Sequence, residues 1–507
     1  MGRPRTVIVA SAQTCRNPKT MDDYSPQDPA RMMAGALQLA AKSLPGASIL
    51  GELGGLACVE PFSWGYDDLA ATVGQLAGAN PKAEHFWLPA GGNSPQDHLH
   101  NLVEAIGEGR LKSAALIGGE ALHALTQAFK TGVMPDWPPQ PDGHDPLRGQ
   151  PPFTSELETR HGLTVPYQTF ALYENGLRAH HKRTFSEQIV HAAKLLSRNS
   201  RVAAANPFAW FRTAWTVDQI ARATPDNRMI AYPYPKRMNA FAEVDQAAAL
   251  IVMSAEEAEA RGLSDRAVHI LGGAGSTDAW FVSERRDYHS SPGMTLAINE
   301  ALKAAACTGQ DVDVFDLYSC FPCAVEIAHE ALELDIDGVR PLTTTGGLAY
   351  FGGPGNSYTV HSLASAYDQI RREEAETALV TGLGMSMSKL AATVLSNAPD
   401  RIEAASGRAQ SGLDIPTTGF PGLAETVEAP AKARIETYTV EYAKDGRPDK
   451  AILILRLEDG RRTLANAADL ASLEPELMAS EPIGRQGTVT SEGGDEGQSG
   501  VNRFAFG

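Results

Sequence analysis

The run richest in chemistry is Tyr318-Ser319-Cys320-Phe321-Pro322-Cys323. The apolar stretch before it, from Val312, reads as a strand that ends at Tyr318. Pro322 suits the first turn of a helix. Tyr318, Ser319 and Cys320 therefore fall on a strand-to-helix loop at the carboxyl end of a strand, where open α/β sheets place ligands. A thiol at a helix N-terminus is expected to have a lowered pKa, which favours the thiolate. Cys320 and Cys323 also form a C-x-x-C pair, which has rival readings. Structural zinc needs two more close ligands, and Cys15, Cys58 and Cys307 form no second pair, so no metal is expected. A redox pair fits the strand, loop and helix setting but not the rest of the chain. A third reading makes Cys323 a packing residue that faces the core.

Two matching turns supply a second group of candidates. They are Gly92-Asn93-Ser94 and Gly355-Asn356-Ser357. Glycine permits a tight turn, and Asn or Ser caps a following helix. The free backbone N–H groups of such a helix start can hold an anion or a polarised carbonyl. Both helix starts are expected to face one central site; plain capping is the alternative. His361 lies one turn into the second helix and is expected to point back toward the loop. His98 holds the matching place in the first. Tyr350 and Tyr318 are phenols able to serve as general acid or base once tuned. In an acidic chain, Arg178, His180, His181, Lys182 and Arg183 form the best local candidate for a phosphate-binding patch, with a solvated helix end as the bland reading.

The elements that position these residues follow from a duplication. Gly92-Asn93-Ser94 and Gly355-Asn356-Ser357 are 263 residues apart (355 − 92). The same offset carries Ala115–Gly119 onto Ala378–Gly382 and Val7–Thr14 onto Ile270–Thr277. Each half reads as strand, long connection, helix, strand, which predicts a mostly parallel sheet with helices on its faces. Residues 1–120 with 226–263 make the first half, and 264–397 the second. Residues 121–225 are an insertion rich in Pro and aromatics, read as a covering loop domain with a helix near 186–196. Residues 398–430 read as a linker. Residues 431–507 contain two Asp-Gly turns between β-rich runs, which predicts a small barrel or OB-like module. Ser491–Gly500 is expected to be mobile.

Bulk properties narrow the function. The chain has 507 residues, 43% hydrophobic and 21% charged, with a net charge of −17. That charge repels a phosphate backbone, so no nucleic-acid partner is expected. No run approaches the length of a membrane span, and the first apolar stretch is too short for a signal peptide. Five cysteines in so long a chain argue against a disulfide framework. The expected location is the cytoplasm.

Longer segments carry a family likeness. Tyr318-Ser319-Cys320-Phe321 is similar to a His-Asp-Cys-Phe loop. Gly346-Gly347-Leu348-Ala349-Tyr350-Phe351-Gly352-Gly353-Pro354 is similar to a Gly-Gly loop ending in Gly-His-Pro. Asn206-Pro207-Phe208-Ala209 and Asp245–Val252 add two more matches. On these the chain resembles the thiolase superfamily, especially sterol-carrier-protein-type thiolases and thiolase-like proteins with an extra C-terminal domain. The likeness covers about residues 5–397. It implies a five-layered αβαβα sandwich of two duplicated halves, a loop domain over the site, and a CoA thioester as ligand with no other cofactor. It also implies a homodimer, unless the extra domain covers that face.

The departures are as informative. The resemblance puts the family's acyl-accepting cysteine at Gly92, its Gly-His-Pro histidine at Gly353, its other loop's Asn or His at Tyr318 and its late cysteine near Thr381. Only Cys320 of that set survives. Three functions follow. The first is an acyl-CoA enzyme of the acyltransferase family that makes or breaks a C–C bond without an acyl-cysteine. There Cys320 would be acid or base, and His361 with Gly92, Asn93, Gly353, Asn356, Ser357 and Tyr350 would build the oxyanion loops. Arg178, His181, Lys182 and Arg183 would take the CoA phosphates. The second is a retro-aldolase on a β-hydroxyacyl-CoA that uses Tyr318. The third is a non-catalytic acyl-CoA binder or scaffold.

Overall fold

The computed structural model describes residues 5–46, 48–334, 340–427, 429–493 and 500–506. The first half builds a sheet in the order Glu84–Phe86, Gly55–Cys58, Ser113–Ala121, Asp245–Ser254, Thr6–Cys15. The second half repeats it with Val268–Thr277, Lys389–Ser396, Thr377–Gly384 and Val314–Asp316. The two join through Val7 opposite His269 and Ile8 opposite Val268. Asp245–Ser254 is buried along its whole length, as its unbroken apolar run requires of a strand covered on both faces.

Helices Ser94–Gly107 and Tyr358–Arg371 fill the layer between the two sheets. Leu99, Leu102, Val103 and Ile106 pack there with Leu363, Tyr367 and Ile370, at the spacing of one helix face. Pro29–Lys42 and Leu69–Ala77 cover the outer face of the first sheet. Pro292–Ala304 and Pro322–Ala331 cover that of the second. The result is the expected αβαβα sandwich, but the sheet is mixed and not mostly parallel. The pairings among its central strands are antiparallel, and parallel pairs lie toward the edges and at Arg408–Asp414. The duplication runs beyond the strands: Pro29 and Pro292 open equivalent helices at the same offset, capped by Asp28 and Ser291.

The insertion is helical, with Pro166–His180 and Phe185–Ala205 as its main members. The second runs well past the expected 186–196, because Thr184 and Glu187 form a capping box and no breaker follows until Asn206-Pro207. The segment expected as a plain linker is structured too. It holds helix Pro399–Ala404 and strand Arg408–Asp414, which pairs in parallel with Val268–Thr277. Small residues make that fit possible, since Gly273 faces Ala409 closely.

The C-terminal domain is a closed five-stranded barrel. Around it run Ala431–Tyr442, Pro448–Leu457, Arg462–Ala467, Val501–Phe506 and Gln486–Glu492, which returns to Ala431–Tyr442. Helix Leu470–Ala479 joins the third strand to the fourth in sequence. This is the OB-type arrangement. Gly446 and Gly460 adopt φ of 84° and 87°, the left-handed backbone that the two Asp-Gly turns demand. Of the stretch expected to be mobile, residues 494–499 lie outside the described residues. Among the described residues, no helix is long and apolar enough to cross a membrane.

Candidate active site

Strand Val314–Asp316 ends in a loop, and Pro322 opens the next helix. The buried Asp316 carboxylate anchors that loop. It accepts from Thr344 N–H at 2.7 Å, Thr343 Oγ1 at 3.0 Å and Ser362 Oγ at 2.7 Å. The glycine loop after Thr345 is thereby tied to the strand end. Tyr318 N–H donates to Thr381 Oγ1 at 2.8 Å, and Leu348 N–H to Ser319 Oγ at 3.3 Å. Thr381 thus positions the tyrosine.

A cavity of about 360 Å³ opens over this loop. Gly92, Tyr318, Cys320, Gly353 and Asn356 all line it, so the two helix starts do face one site. Most of the remaining wall is apolar, including Phe62, Phe170 and Leu348. At Gly92 a Cβ would collide with the Tyr318 hydroxyl and the Leu383 carbonyl, and would lie 2.8 Å from Tyr318 Cζ. The phenol occupies the room that a side chain at position 92 would need. Burial, with Cys320 adding to it, pushes the Tyr318 phenol far above its usual range. Burial does the same to the Cys320 thiol, although the Phe321 and Cys320 amides pull it back. The expected thiolate is therefore a protonated thiol: desolvation outweighs the helix start.

A second cavity of about 630 Å³ adjoins the first and shares Tyr167, Asn239 and Ala240 with it. Its walls carry the cations Arg228, Lys236, Arg237 and Lys444 and the carboxylates Asp226, Glu441 and Asp449, with Trp215 and Tyr442 among the aromatics. The Arg237 guanidinium lies 4.2 Å above the Trp215 ring. Tyr350 belongs here and not to the first cavity; its hydroxyl donates to the Arg237 carbonyl at 3.1 Å.

Comparison with known proteins agrees with the fold. Residues 415–494 match the family model "Thiolase-like protein type 1 additional C-terminal domain". A monomeric SCP2-thiolase-like protein type 1 from Mycobacterium smegmatis superposes with a TM-score of 0.80, at 28% identity over 100% of both chains. The chain has a thiolase-like fold with the type 1 additional C-terminal domain. The acetyl-CoA acetyltransferase of Methanothermobacter thermautotrophicus is 26% identical over 55% of this chain and 76% of its own length. Rat sterol carrier protein 2 is 27% identical over 31% of this chain, a match that spans 28% of the rat protein.

Within this thiolase-like frame several expected site residues fall elsewhere. His361 is buried, with Nδ1 2.9 Å from Gln13 Oε1 and its ring packed on Phe351. Burial lowers its pKa to about 3, so it is a neutral core residue. His98 is buried as well, and neither ring nitrogen has a partner among the described residues. Asn93 stands at the N-cap position of its helix without a side-chain capping bond, and its Nδ2 donates to Asp97 at 2.6 Å. Asn356 does line the cavity, but its Nδ2 is committed to the Glu60 carbonyl at 2.7 Å, and Ser357 is buried beside Gly118.

The basic stretch is not a phosphate patch. Arg178 is buried and bonds both carboxylate oxygens of Glu481. Arg183 pairs with Glu326 at 2.5 Å, and His181 lies 2.6 Å from Glu330. Acidic partners consume this charge, leaving the exposed Lys182 at a helix end. Cys323 takes the packing role, with Tyr234 donating to its sulfur at 3.3 Å.

Three features escaped sequence reasoning. The cations of the second cavity come from residues 228–237 and from 444, two separate domains; only the Lys236-Arg237 pair beside aromatics was a local signal. Lys389 is buried next to Gly91, donates to the Ala90 carbonyl at 3.3 Å, and is lowered by burial to about 8. Glu174 is buried behind the site, held by Gln188 at 2.5 Å and Tyr234 at 2.7 Å.

Proposed function

We propose that the protein binds an acyl-CoA and makes or breaks a carbon–carbon bond of its acyl group without forming an acyl-cysteine. The observation that carries this reading is a pair of neighbouring cavities that share Tyr167, Asn239 and Ala240: one carries Arg228, Lys236, Arg237 and Lys444 beside Asp226, Glu441 and Asp449, and the other is an apolar chamber that holds Gly92, Tyr318 and Cys320. CoA has that polarity. Its phosphates call for cations, its adenine for a flat aromatic or guanidinium face, and its acyl group for an apolar end. The names of the relatives, an acetyl-CoA acetyltransferase and sterol carrier protein 2, point the same way.

The chemistry follows from what the chamber offers. Glycine at position 92 supplies no nucleophile. Burial keeps the Cys320 thiol and the Tyr318 phenol protonated near neutral pH, so each acts as a proton or hydrogen-bond donor. Such donors stabilise a developing enolate oxygen or protonate a carbanion. Tyr318 against Gly92 also favours a second reading, retro-aldol cleavage of a β-hydroxyacyl-CoA with the phenol as the main polar group. The site is built within one chain and the mycobacterial relative is monomeric, which supports a monomer as the working form.

Thermal unfolding with CoA, acetyl-CoA and a long-chain acyl-CoA tests the binding. Specific binding to the folded state raises the melting temperature by mass action. No shift at millimolar ligand with any of them sinks the reading. Intact-mass analysis after incubation with acetyl-CoA is expected to show no acyl adduct. If Y318F abolishes cleavage of a β-hydroxyacyl-CoA while C320A retains it, the retro-aldol reading prevails.

A further inference from the structure

We propose that the C-terminal barrel is a working part of the substrate passage: its Glu441 fixes Tyr167 at the neck between channel and chamber, and so sets which acyl chains pass. This rests on the acyl-CoA reading above. Tyr167, Asn239 and Ala240 line both cavities, so they form the boundary between them, and we take that boundary as the neck. Tyr167 stands in the first turn of helix Pro166–His180. Its hydroxyl donates to one oxygen of Glu441 at 2.6 Å. Gln168, the next residue, donates to the other oxygen at 2.7 Å. The carboxylate is therefore held by two neighbours on the loop domain, and the phenol is held by the barrel.

The opposite side of the neck hangs on the same barrel strand. Glu441 pairs with Ala231, Tyr232 N–H donates to the Val440 carbonyl at 2.8 Å, and Arg228 reaches the Tyr442 carbonyl at 3.4 Å. The chain that leaves this pairing runs through Lys236 to Asn239 and Ala240. Asn239 is tied back by its amide, which donates to the Pro235 carbonyl at 2.9 Å. Residues 440–442 of the barrel thus carry both lips, and Tyr442 and Lys444 continue as channel wall. A phenol released from Glu441 is free to swing on its side-chain torsions, which widens the neck or blocks it. The barrel has a mechanical reason to be fused to this fold.

Two isosteric variants of the full chain, E441Q and Y167F, test this with CoA, acetyl-CoA and palmitoyl-CoA by titration calorimetry. The ratio of acetyl- to palmitoyl-CoA affinity is expected to move by about tenfold in each variant. A ratio unchanged in both variants overturns the proposal. A second readout needs no CoA ester. Cys320 lines the chamber, so its alkylation by a small and a bulky maleimide, quantified by peptide mass, reports the width of the neck. The bulky-to-small rate ratio is expected to change several-fold in E441Q or Y167F. If the parent binds no CoA ester but this ratio shifts, the acyl-CoA reading fails and the gate stands. If esters bind and neither ratio moves, the gate fails and the acyl-CoA reading stands.

Discussion

A side chain at position 92 has nowhere to go. Its first carbon would meet the Tyr318 hydroxyl and the Leu383 carbonyl, and the carbonyl is backbone that cannot swing aside. G92A is therefore expected to cost about 1–3 kcal/mol, read from urea unfolding, because overpacking forces neighbours to move. Adding Y318F should recover only part of that loss, since the carbonyl clash remains. A G92A protein as stable as its parent would refute the crowding. Glu174 makes a second prediction. Burial, then the neighbouring Glu326, raises it from 4.5 to about 7. A folded-state pKa above the unfolded one means that the native state holds a proton the unfolded chain has released. Stability from this group is present below pH 4.5 and is lost as pH rises through 7. The loss is roughly 3 kcal/mol at most, from 1.36 kcal/mol per pH unit. E174Q should flatten stability between pH 5 and 7, on the order of that amount. Glu326 works in the opposite sense: burial opposes its ionisation, but His191 and Arg183 hold it at about 2, so its contribution is lost in acid. Calorimetry of the parent and E174Q across that range checks the sign.

At the scale of elements, helix Pro166–His180 holds the barrel from one end to the other. Its start meets Glu441 through Tyr167 and Gln168, and its last turn meets Glu481 through Arg178. The Arg178 guanidinium also lies 4.6 Å over the Phe185 ring. Arg178 is buried, whereas the Glu481 side chain is 46% exposed. Removing the acid strands a buried cation, and removing the base returns the acid to water. E481Q should therefore destabilise more than R178M, by about 1–3 kcal/mol against about 1 kcal/mol or less. The reverse order in chemical denaturation would show that the pair is carried by Glu481. The helix also explains the fate of the basic stretch: residues 178–183 face acidic partners on the barrel and on helix Pro322–Ala331.

At the scale of the molecule, the barrel is bound to the body by buried polar contacts as well as by packing. Arg462, itself paired with Glu436 inside the barrel at 2.6 Å, donates to the Ser283 carbonyl of the body at 2.9 Å. Asn502 N–H donates to His161 Nε2 at 3.0 Å, and Asn466 reaches the His161 carbonyl at 3.0 Å. Separating the domains would exchange these bonds for bonds to water, at about 0.5–1.5 kcal/mol each, and would expose the surface packed between them. The barrel and body are expected to unfold together in one calorimetric transition. Two well-separated transitions would show instead that the barrel is an independent appendage, and would weaken the case for it as a channel wall.

The sequence by itself determined what is local or repeated. Strand patterns, proline helix starts, Asp-Gly turns and the 263-residue offset (355 − 92) all report short-range geometry, and they led to the duplicated α/β body and the barrel, while the five-layered sandwich came from the family resemblance. It also placed Gly92, Tyr318, Cys320 and Asn356 at one site, because equivalent turns in a duplicated fold meet at its centre. Tertiary structure alone decided the rest. Whether Cys320 is a thiolate depends on desolvation, which a helix-start argument does not contain. Whether His361 reaches the chamber depends on which face of a fully packed helix it occupies, and Gln13 claims it. Whether Arg178 is free depends on Glu481, some three hundred residues further on. The channel's cations come from residues 228–237 and 444, which no local pattern connects. Burial and long-range pairing fix charge, and both are properties of the folded whole.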